Sequence, residues 1–189
     1  MTEPDVPEQR VGRLLRQHHA TLATAESCTG GLIGSLLTDV SGSSDYYLGG
    51  VIAYSNGVKE RTLGVQAEIL TTVGAVSQEA AIQMARGVQH LLGADYAIAV
   101  TGIAGPTGAT PGKPVGLVYI ALVGPGVERC ERHIWEEGGR VPDRGWNKIL
   151  TARRALYALI EALEERAVQS DSAPHTDQAS ETHRSRSTS

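Results

Sequence analysis

Short apolar segments bounded by glycines alternate along this chain with longer segments whose apolar residues recur at helical spacing. Strands that alternate with helices form layered α/β folds, because each helix can bury its apolar face against the sheet. The sequence therefore predicts an α/β fold with one central sheet. Strands are expected at residues 21–25, 49–55, 96–100, 115–123 and 127–135, and helices at 7–18, 29–39, 56–63, 68–73, 77–92 and 149–163.

The last two predicted strands are separated only by Gly124, Pro125 and Gly126. A connection this short joins neighbouring antiparallel strands, whereas parallel strands need a longer crossover. The sheet should therefore be mixed, mostly parallel with at least one antiparallel strand.

Length and composition favour one domain. The chain has 189 residues, of which 41% are hydrophobic, and a domain of this size buries roughly two-thirds of its unfolded surface. Residues 1–7 are polar and rich in proline, and residues 167–189 are almost devoid of bulky apolar side chains. Such segments cannot offset their own ordering entropy, so we expect a folded domain over residues 8–166 between a disordered N-terminus and a disordered tail.

Several classes of function are disfavoured by composition. The net charge of −4 and the lack of a basic cluster argue against a nucleic-acid partner. Two cysteines are too few for a disulfide framework, and we find neither a signal segment nor an apolar run of membrane length. The expected location is the cytoplasm, with no membrane partner.

The segment from Thr24 to Gly31 lies where the first strand passes into a helix. Backbone N–H groups at such a turn stabilise negative charge, so Ser27 can be a nucleophile with an oxyanion hole near Gly30 and Gly31. The alternative is that Ser27 or the hydroxyl two residues later only caps the helix. Cys28 is a rival nucleophile, but strand alternation should point it away from Ser27.

A serine nucleophile needs a base, and none of the six histidines lies in a glycine-rich or strand-end setting. A lysine with a lowered pKa can take the hydroxyl proton instead, often with a tyrosine as relay. Tyr54 ends an apolar strand and Lys59 lies on the helical turn after it, so both can reach the sheet edge that holds Ser27. The alternative is a half-buried core tyrosine and a solvated lysine on the helix surface.

Five glycines occur in the loop between residues 101 and 116. Its N–H groups can form an anion-binding nest around Gly102 and Gly105, with Thr101 and Lys113 as further donors, or the loop is simply a flexible surface segment. Arg140 is a candidate clamp for a phosphate or carboxylate, although many such arginines make structural ion pairs. Acidic residues lack His or Cys partners at ligand spacing, so neither a metal nor another cofactor is expected.

Five motifs in this order closely resemble the CinA C-terminal domain family over residues 8–166. They are Ala-Glu-Ser-Cys-Thr-Gly-Gly at 25–31, Gly-Val-Ile-Ala-Tyr-Ser-Asn-Gly-Val-Lys at 50–59, Gly-Ala-Val-Ser at 74–77, Thr-Gly-Ile-Ala-Gly-Pro at 101–106 and Lys-Pro-Val-Gly at 113–116. The resemblance implies a three-layer α/β/α sandwich, a homo-oligomer, and hydrolysis of nicotinamide mononucleotide to nicotinate mononucleotide and ammonia.

The resemblance also implies roles for single residues. Ser27 matches the family's nucleophile, Tyr54 and Lys59 match the groups that activate it, and Thr101 and Arg140 match positions that help hold the substrate. Residues 141–146 resemble an insertion between Arg140 and the last helix.

Two other functions are compatible with these motifs. The chain can be a non-catalytic binding or scaffold module linked to competence or DNA repair, or an amidase for a different phosphorylated amide. The intact set of Ser27, Tyr54 and Lys59 favours the amidohydrolase over the scaffold.

Overall fold

The computed structural model describes residues 6–136 and 142–171. Helices and strands alternate over the first half of this part of the chain, as the sequence predicts. In chain order the elements are α1 (Pro7–Gln17), β1 (Leu22–Glu26), α2 (Leu32–Thr38), a 3-10 turn (Ser43–Asp45), β2 (Tyr47–Ile52), α3 (Asn56–Leu63), α4 (Ala67–Thr72), α5 (Gln78–Leu92), β3 (Tyr96–Gly102), β4 (Leu117–Gly124), β5 (Val127–Ile134) and α6 (Arg144–Asp171).

The strands form one sheet in the order β2-β1-β3-β4-β5. Strand β1 pairs in parallel with β2 and β3, while β4 pairs antiparallel with β3 and β5. Four strands therefore share one direction and β4 opposes them, which confirms the mixed α/β sheet. The carboxyl ends of β1, β2 and β3 lie together at one edge of the sheet.

Helices cover both faces of the sheet, which gives three layers. One face carries large aliphatic side chains such as Leu22, Ile98 and Ile120, and packs against α1, α2 and α6. The opposite face carries mainly alanines, including Ala97 and Ala99, and packs against α3 and α5. Because side chains alternate between the faces of a strand, one strand supplies both surfaces.

The turn between β1 and α2 is longer than the sequence predicts. We expected helix from residue 29, but α2 begins at Leu32. Gly30 and Gly31 have φ values of +63° and +98°, in the left-handed region that glycine tolerates and a right-handed helix excludes. Residues 27–31 therefore form a turn beside the sheet edge and are not the first turn of the helix.

The two ends of the folded domain differ slightly from the expected bounds. Helix α1 begins at Pro7, which is buried, and α6 continues to Asp171, so residues 167–171 are helical although they were assigned to the tail. Residues 1–5 and 172–189, which carry the other predicted disorder, lie outside the described residues. No helix in the described part of the chain is long and apolar enough to span a bilayer.

Candidate active site

A cleft of about 350 Å³ lies at the edge of the sheet where β1, β2 and β3 end. Ser27 follows β1 directly, and its N–H donates to the carbonyl oxygen of Val100 at 3.0 Å, which fixes it beside β3. Open α/β sheets bind ligands at this kind of edge, outside the carboxyl ends of the strands. Residues from all three strand ends and from α6 line the cleft, namely Ser27, Cys28, Tyr54, Asn56, Lys59, Ala75, Val76, Thr101, Gly102, Ile103, Ala104, Gly105, Thr107, Gly108 and Arg144.

Ser27 and Lys59 are in direct contact. The Lys59 Nζ atom donates to the Ser27 Oγ at 3.0 Å and to the backbone carbonyl oxygen of Ala53 at 2.6 Å. Ser27 is 9% exposed and Lys59 only 1% exposed. The alternative of a solvated surface lysine is therefore excluded, and the predicted pair of a hydroxyl and an amine is present.

Helix α3 determines where Lys59 lies. The Ser55 side chain caps the helix by accepting from the Val58 N–H at 3.3 Å, which starts α3 immediately after β2 and places Lys59 one turn later. Burial lowers the pKa of Lys59 below its ordinary value of 10.5, although the nearby Cys28 opposes the shift. A lowered pKa makes a neutral amine available to act as a base.

Cys28 is unsuited to the role of nucleophile. Its side chain packs into the core on the opposite face of the sheet from Lys59, as strand alternation predicts. Burial raises the pKa of the thiol to about 12, and the nearby Glu26 adds to this shift. The thiolate, which is the reactive form, is therefore scarce at neutral pH.

The N-terminus of α2 is capped by Glu26, and neither Ser27 nor Thr29 caps it. The Glu26 carboxylate accepts from the backbone N–H groups of Gly31, Ile33 and Gly34 at 2.9, 3.1 and 2.9 Å. We expected an oxyanion hole near Gly30 and Gly31, but the Gly31 N–H is already donated to Glu26. The first turn of α2 therefore holds a carboxylate of the protein itself.

Tyr54 lies on the outer side of the cleft and is 63% exposed. Its hydroxyl accepts a hydrogen bond of 2.8 Å from the Arg144 guanidinium, which also donates to the Gly105 carbonyl oxygen at 2.8 Å. Tyr54 is therefore not the core tyrosine of the alternative interpretation. It shares the cleft with Ser27 and Lys59, while its hydrogen-bond partner is Arg144.

The 101–116 loop forms a wall of the cleft through Thr101, Gly102 and Gly105. Thr101 is buried and donates its hydroxyl hydrogen to the Ala75 carbonyl oxygen at 2.7 Å, so in this arrangement it can accept from a ligand but not donate to an anion. Lys113 donates to the Val73 carbonyl oxygen and does not line the cleft. The proposed anion nest is therefore not assembled from these two side chains.

Arg140, the predicted clamp, lies outside the described residues. Arg144 is the arginine that reaches the cleft, and sequence reasoning missed it because residues 141–146 resembled an insertion. Its two contacts join it to residues 39 and 90 positions away in the chain. The signal in the sequence was an arginine at the start of a strongly periodic helix.

Arg144 gives the cleft a positive charge. Among the described residues that line the cleft, the basic groups are Lys59 and Arg144, and there is no carboxylate. Within the same described ranges, no group of three His, Cys, Asp or Glu side chains is arranged to hold a metal ion. The arrangement suits an anionic ligand placed beside a serine hydroxyl and an amine base.

A family model described as the CinA C-terminal domain matches residues 5–163. The chain is similar to CinA-like proteins of Trichormus variabilis, 52% identical over 149 residues, and Synechocystis sp., 51% identical over 154 residues. These matches cover 79% and 82% of this chain but 35% and 36% of the relatives. The chain thus spans about a third of the length of the curated relatives it matches.

Two solved structures are similar in fold to this chain. A CinA superfamily protein of Klebsiella pneumoniae superposes with a TM-score of 0.78 and 34% identity, covering 84% of this chain and 96% of that one. The competence/damage inducible protein CihA of Agrobacterium tumefaciens has a TM-score of 0.74 and 41% identity, covering 85% and 97%.

Proposed function

The chain belongs to the CinA C-terminal domain family, and on this premise we propose that it hydrolyses nicotinamide mononucleotide to nicotinate mononucleotide and ammonia. The observation that carries the proposal is the contact of 3.0 Å between the buried Lys59 amine and the Ser27 hydroxyl. A hydroxyl within hydrogen-bond reach of an amine with a lowered pKa is the arrangement of an activated nucleophile.

Lys59 acts as the base in its neutral form. One of its hydrogens is donated to the Ala53 carbonyl oxygen, and its lone pair accepts the Ser27 hydroxyl hydrogen. The Ser27 oxygen then attacks the carboxamide carbon, and its proton passes to Lys59. The contact between Lys59 Nζ and Ser27 Oγ can exist with either the charged or the neutral amine. The charged amine donates to the hydroxyl oxygen, and the neutral amine accepts the hydroxyl hydrogen.

Ammonia leaves when the tetrahedral intermediate collapses. The carbon–nitrogen bond breaks, the leaving nitrogen takes the proton that Lys59 accepted from Ser27, and an ester remains between the acid and Ser27. Tyr54 is the proposed relay for that proton, and its hydroxyl hydrogen is available because the oxygen only accepts from Arg144. Water then attacks the ester with Lys59 as base, which releases nicotinate mononucleotide and restores the serine.

The nucleotide phosphate needs a cationic partner near this chemistry. Arg144 is the exposed cation of the cleft, and its planar guanidinium can bind phosphate oxygens in a bidentate manner. We therefore assign to Arg144 the role that was expected of Arg140. A substrate with an anionic group also agrees with the lack of carboxylates among the described residues of the cleft.

Ammonia release from nicotinamide mononucleotide by the purified chain tests the proposal. We expect Ser27→Ala to lower kcat by at least about 10³-fold. Ser35→Ala, an exposed serine on α2, is the matched control and should retain full activity. Full activity of Ser27→Ala would exclude this mechanism.

The rival functions give different results in the same assay. Release of ammonia from another phosphorylated amide, with none from nicotinamide mononucleotide, would identify a different amidase. A folded protein that is silent on a panel of pyridine nucleotides and phosphorylated amides would favour a binding or scaffold module.

A further inference from the structure

Asn147 is a buried polar residue in the first turn of α6 that the proposed chemistry does not use. Its side chain is 1% exposed, and its backbone N–H donates to the Asp143 carbonyl oxygen at 2.9 Å. The side-chain amide nitrogen donates to two carbonyl oxygens, that of Ala104 at 2.9 Å and that of Pro142 at 3.0 Å. Both amide hydrogens are therefore used, and the two acceptors establish which end of the amide is nitrogen.

These two hydrogen bonds connect the two segments that hold the Arg144 clamp, by which we mean the Arg144 guanidinium and its hydrogen bond to the Gly105 carbonyl oxygen. Ala104 precedes Gly105, whose carbonyl oxygen binds Arg144, and Pro142 lies two residues before Arg144 itself. The position of the guanidinium therefore depends on the separation of these segments, which the Asn147 amide helps to hold. Buried hydrogen bonds keep such a geometry well because water does not compete for them.

We propose that Asn147 is a positioning residue that holds Arg144 across the cleft and thereby determines how tightly the anionic part of the substrate binds. This inference rests on the proposed function, in which Arg144 binds the nucleotide phosphate. Asn147 does not touch Ser27 or Lys59 in the structure, so its effect falls on KM and leaves kcat nearly unchanged.

Asn147→Asp is the informative variant because the side chain keeps its shape and loses the NH₂ group. An ionised carboxylate repels both carbonyl oxygens, whereas a protonated carboxyl group can donate to one of them. We expect KM for nicotinamide mononucleotide to increase by about tenfold at neutral pH and to recover partly in acid, with kcat within about twofold of the parent. An increase in KM that does not change with pH would contradict the proposal.

Thr151→Val is the matched control for general damage to the start of α6. Thr151 is also buried, donates to the Asn147 carbonyl oxygen at 2.7 Å and accepts from the Trp135 indole N–H at 2.9 Å, and neither of these hydrogen bonds reaches the 101–116 loop. Its loss should lower the melting temperature and leave KM unchanged. The proposal fails if Thr151→Val raises KM as much as Asn147→Asp.

A double-mutant cycle tests whether Asn147 acts through Arg144. In an Arg144→Ala background, Asn147→Asp should change KM by less than about twofold, because the group that it positions is gone. A tenfold effect that persists in this background would show that Asn147 acts by another route.

Hydrogen–deuterium exchange of the ligand-free protein separates this inference from the proposed function. Asn147→Asp should raise the exchange rate of residues 103–108 by about tenfold, while Thr151→Val should not. A chain that does not hydrolyse nicotinamide mononucleotide would overturn the proposed function and leave this exchange result as the test of the clamp. Unchanged exchange in Asn147→Asp would overturn the positioning role.

Discussion

The Lys59 amine is surrounded by protein and has two polar neighbours, the Ser27 hydroxyl and the Ala53 carbonyl oxygen. Removing a charged amine from water favours its neutral form, and a carbonyl oxygen can be satisfied by a neutral amine. Both features adapt this lysine to taking a proton from Ser27.

Activity should require Lys59 as a base, so that neither the length of its side chain nor its positive charge is sufficient alone. We expect Lys59→Met, which keeps the length of the side chain, to lower kcat by about 10²- to 10⁴-fold. Lys59→Arg keeps the positive charge but cannot release its proton at working pH, so its loss should be of similar size. Steady-state ammonia release measures both. High activity of Lys59→Arg would mean that the group acts only through its charge.

Burial of Lys59 should also appear in the pH dependence of stability. Because the pKa is lowered below 10.5 in the fold, the unfolded chain binds this proton in a pH range where the folded protein has released it. The free energy of unfolding contributed by this group therefore increases with pH from the folded pKa up to 10.5. Urea unfolding of the parent should show this slope, and Lys59→Met should lose it; equal slopes would contradict the shift.

Cys28 should neither react with alkylating agents in the folded protein nor take part in catalysis. Since burial raises its pKa to about 12, we expect iodoacetamide to label it in the unfolded chain but not in the folded protein. Cys28→Ala should keep kcat/KM within about threefold of the parent, because the buried thiol is not in its reactive form. Mass spectrometry after labelling and the ammonia assay measure the two effects. Inactivation together with labelling of the native protein would revive Cys28 as nucleophile.

The sequence predicted local parts of the site better than parts that distant segments bring together. Ser27 and Lys59 could be paired because each follows a parallel strand, and parallel strands end at one edge. Arg144 and Asn147 could not be placed, since each has a partner in a distant loop: Gly105 is 39 positions from Arg144, and Ala104 is 43 positions from Asn147. The carbonyl oxygens that these two side chains bind depend on how α6 packs against the loop, and no local sequence pattern predicts this packing.

At the scale of elements, the turn between β1 and α2 determines where Ser27 points. Glu26 is the last residue of β1, yet its carboxylate holds three N–H groups at the start of α2. The side chain thus bridges the turn that contains Ser27 and satisfies donors that a helix N-terminus otherwise leaves open. Sequence reasoning predicted α2 but not this cap, because the cap precedes the helix by more residues than an ordinary capping motif.

Removing this carboxylate should destabilise the protein. Glu26→Gln keeps one acceptor oxygen and turns an NH₂ group toward backbone donors, so we expect the free energy of unfolding to fall by about 2 kcal/mol. Asp39→Asn, at the exposed opposite end of α2, is the control and should change it by less than about 0.5 kcal/mol. Urea denaturation compares the two, and equal small effects would show that the cap contributes little.

At the scale of the whole molecule, the two faces of the sheet carry side chains of different size. The face toward α3 and α5 is lined with alanines, whereas the face toward α1, α2 and α6 carries larger aliphatic side chains. The layered fold was predictable from periodicity, but this asymmetry was not, because periodicity does not say which face lies closer to its helices.

The alanine-lined face toward α3 and α5 should not accommodate larger side chains. Ala99 is fully buried beneath α5, so Ala99→Leu should lower the free energy of unfolding by about 3 kcal/mol through overpacking. Ile120→Leu on the opposite face preserves volume and should cost less than about 1.5 kcal/mol. Thermal unfolding of both variants tests the contrast. Equal losses would mean that the faces do not differ.

The packing beneath the alanine face of the sheet also bears on the position of Lys59. Helix α5 lies so close to α3 that a Cβ at Gly87 would be 2.0 Å from the Leu63 carbonyl oxygen at the end of α3. A larger side chain at Gly87 would therefore have to displace the backbone at the end of α3. Lys59 is carried by that same helix, so the packing of α5 against α3 also constrains the distance between the Lys59 amine and Ser27.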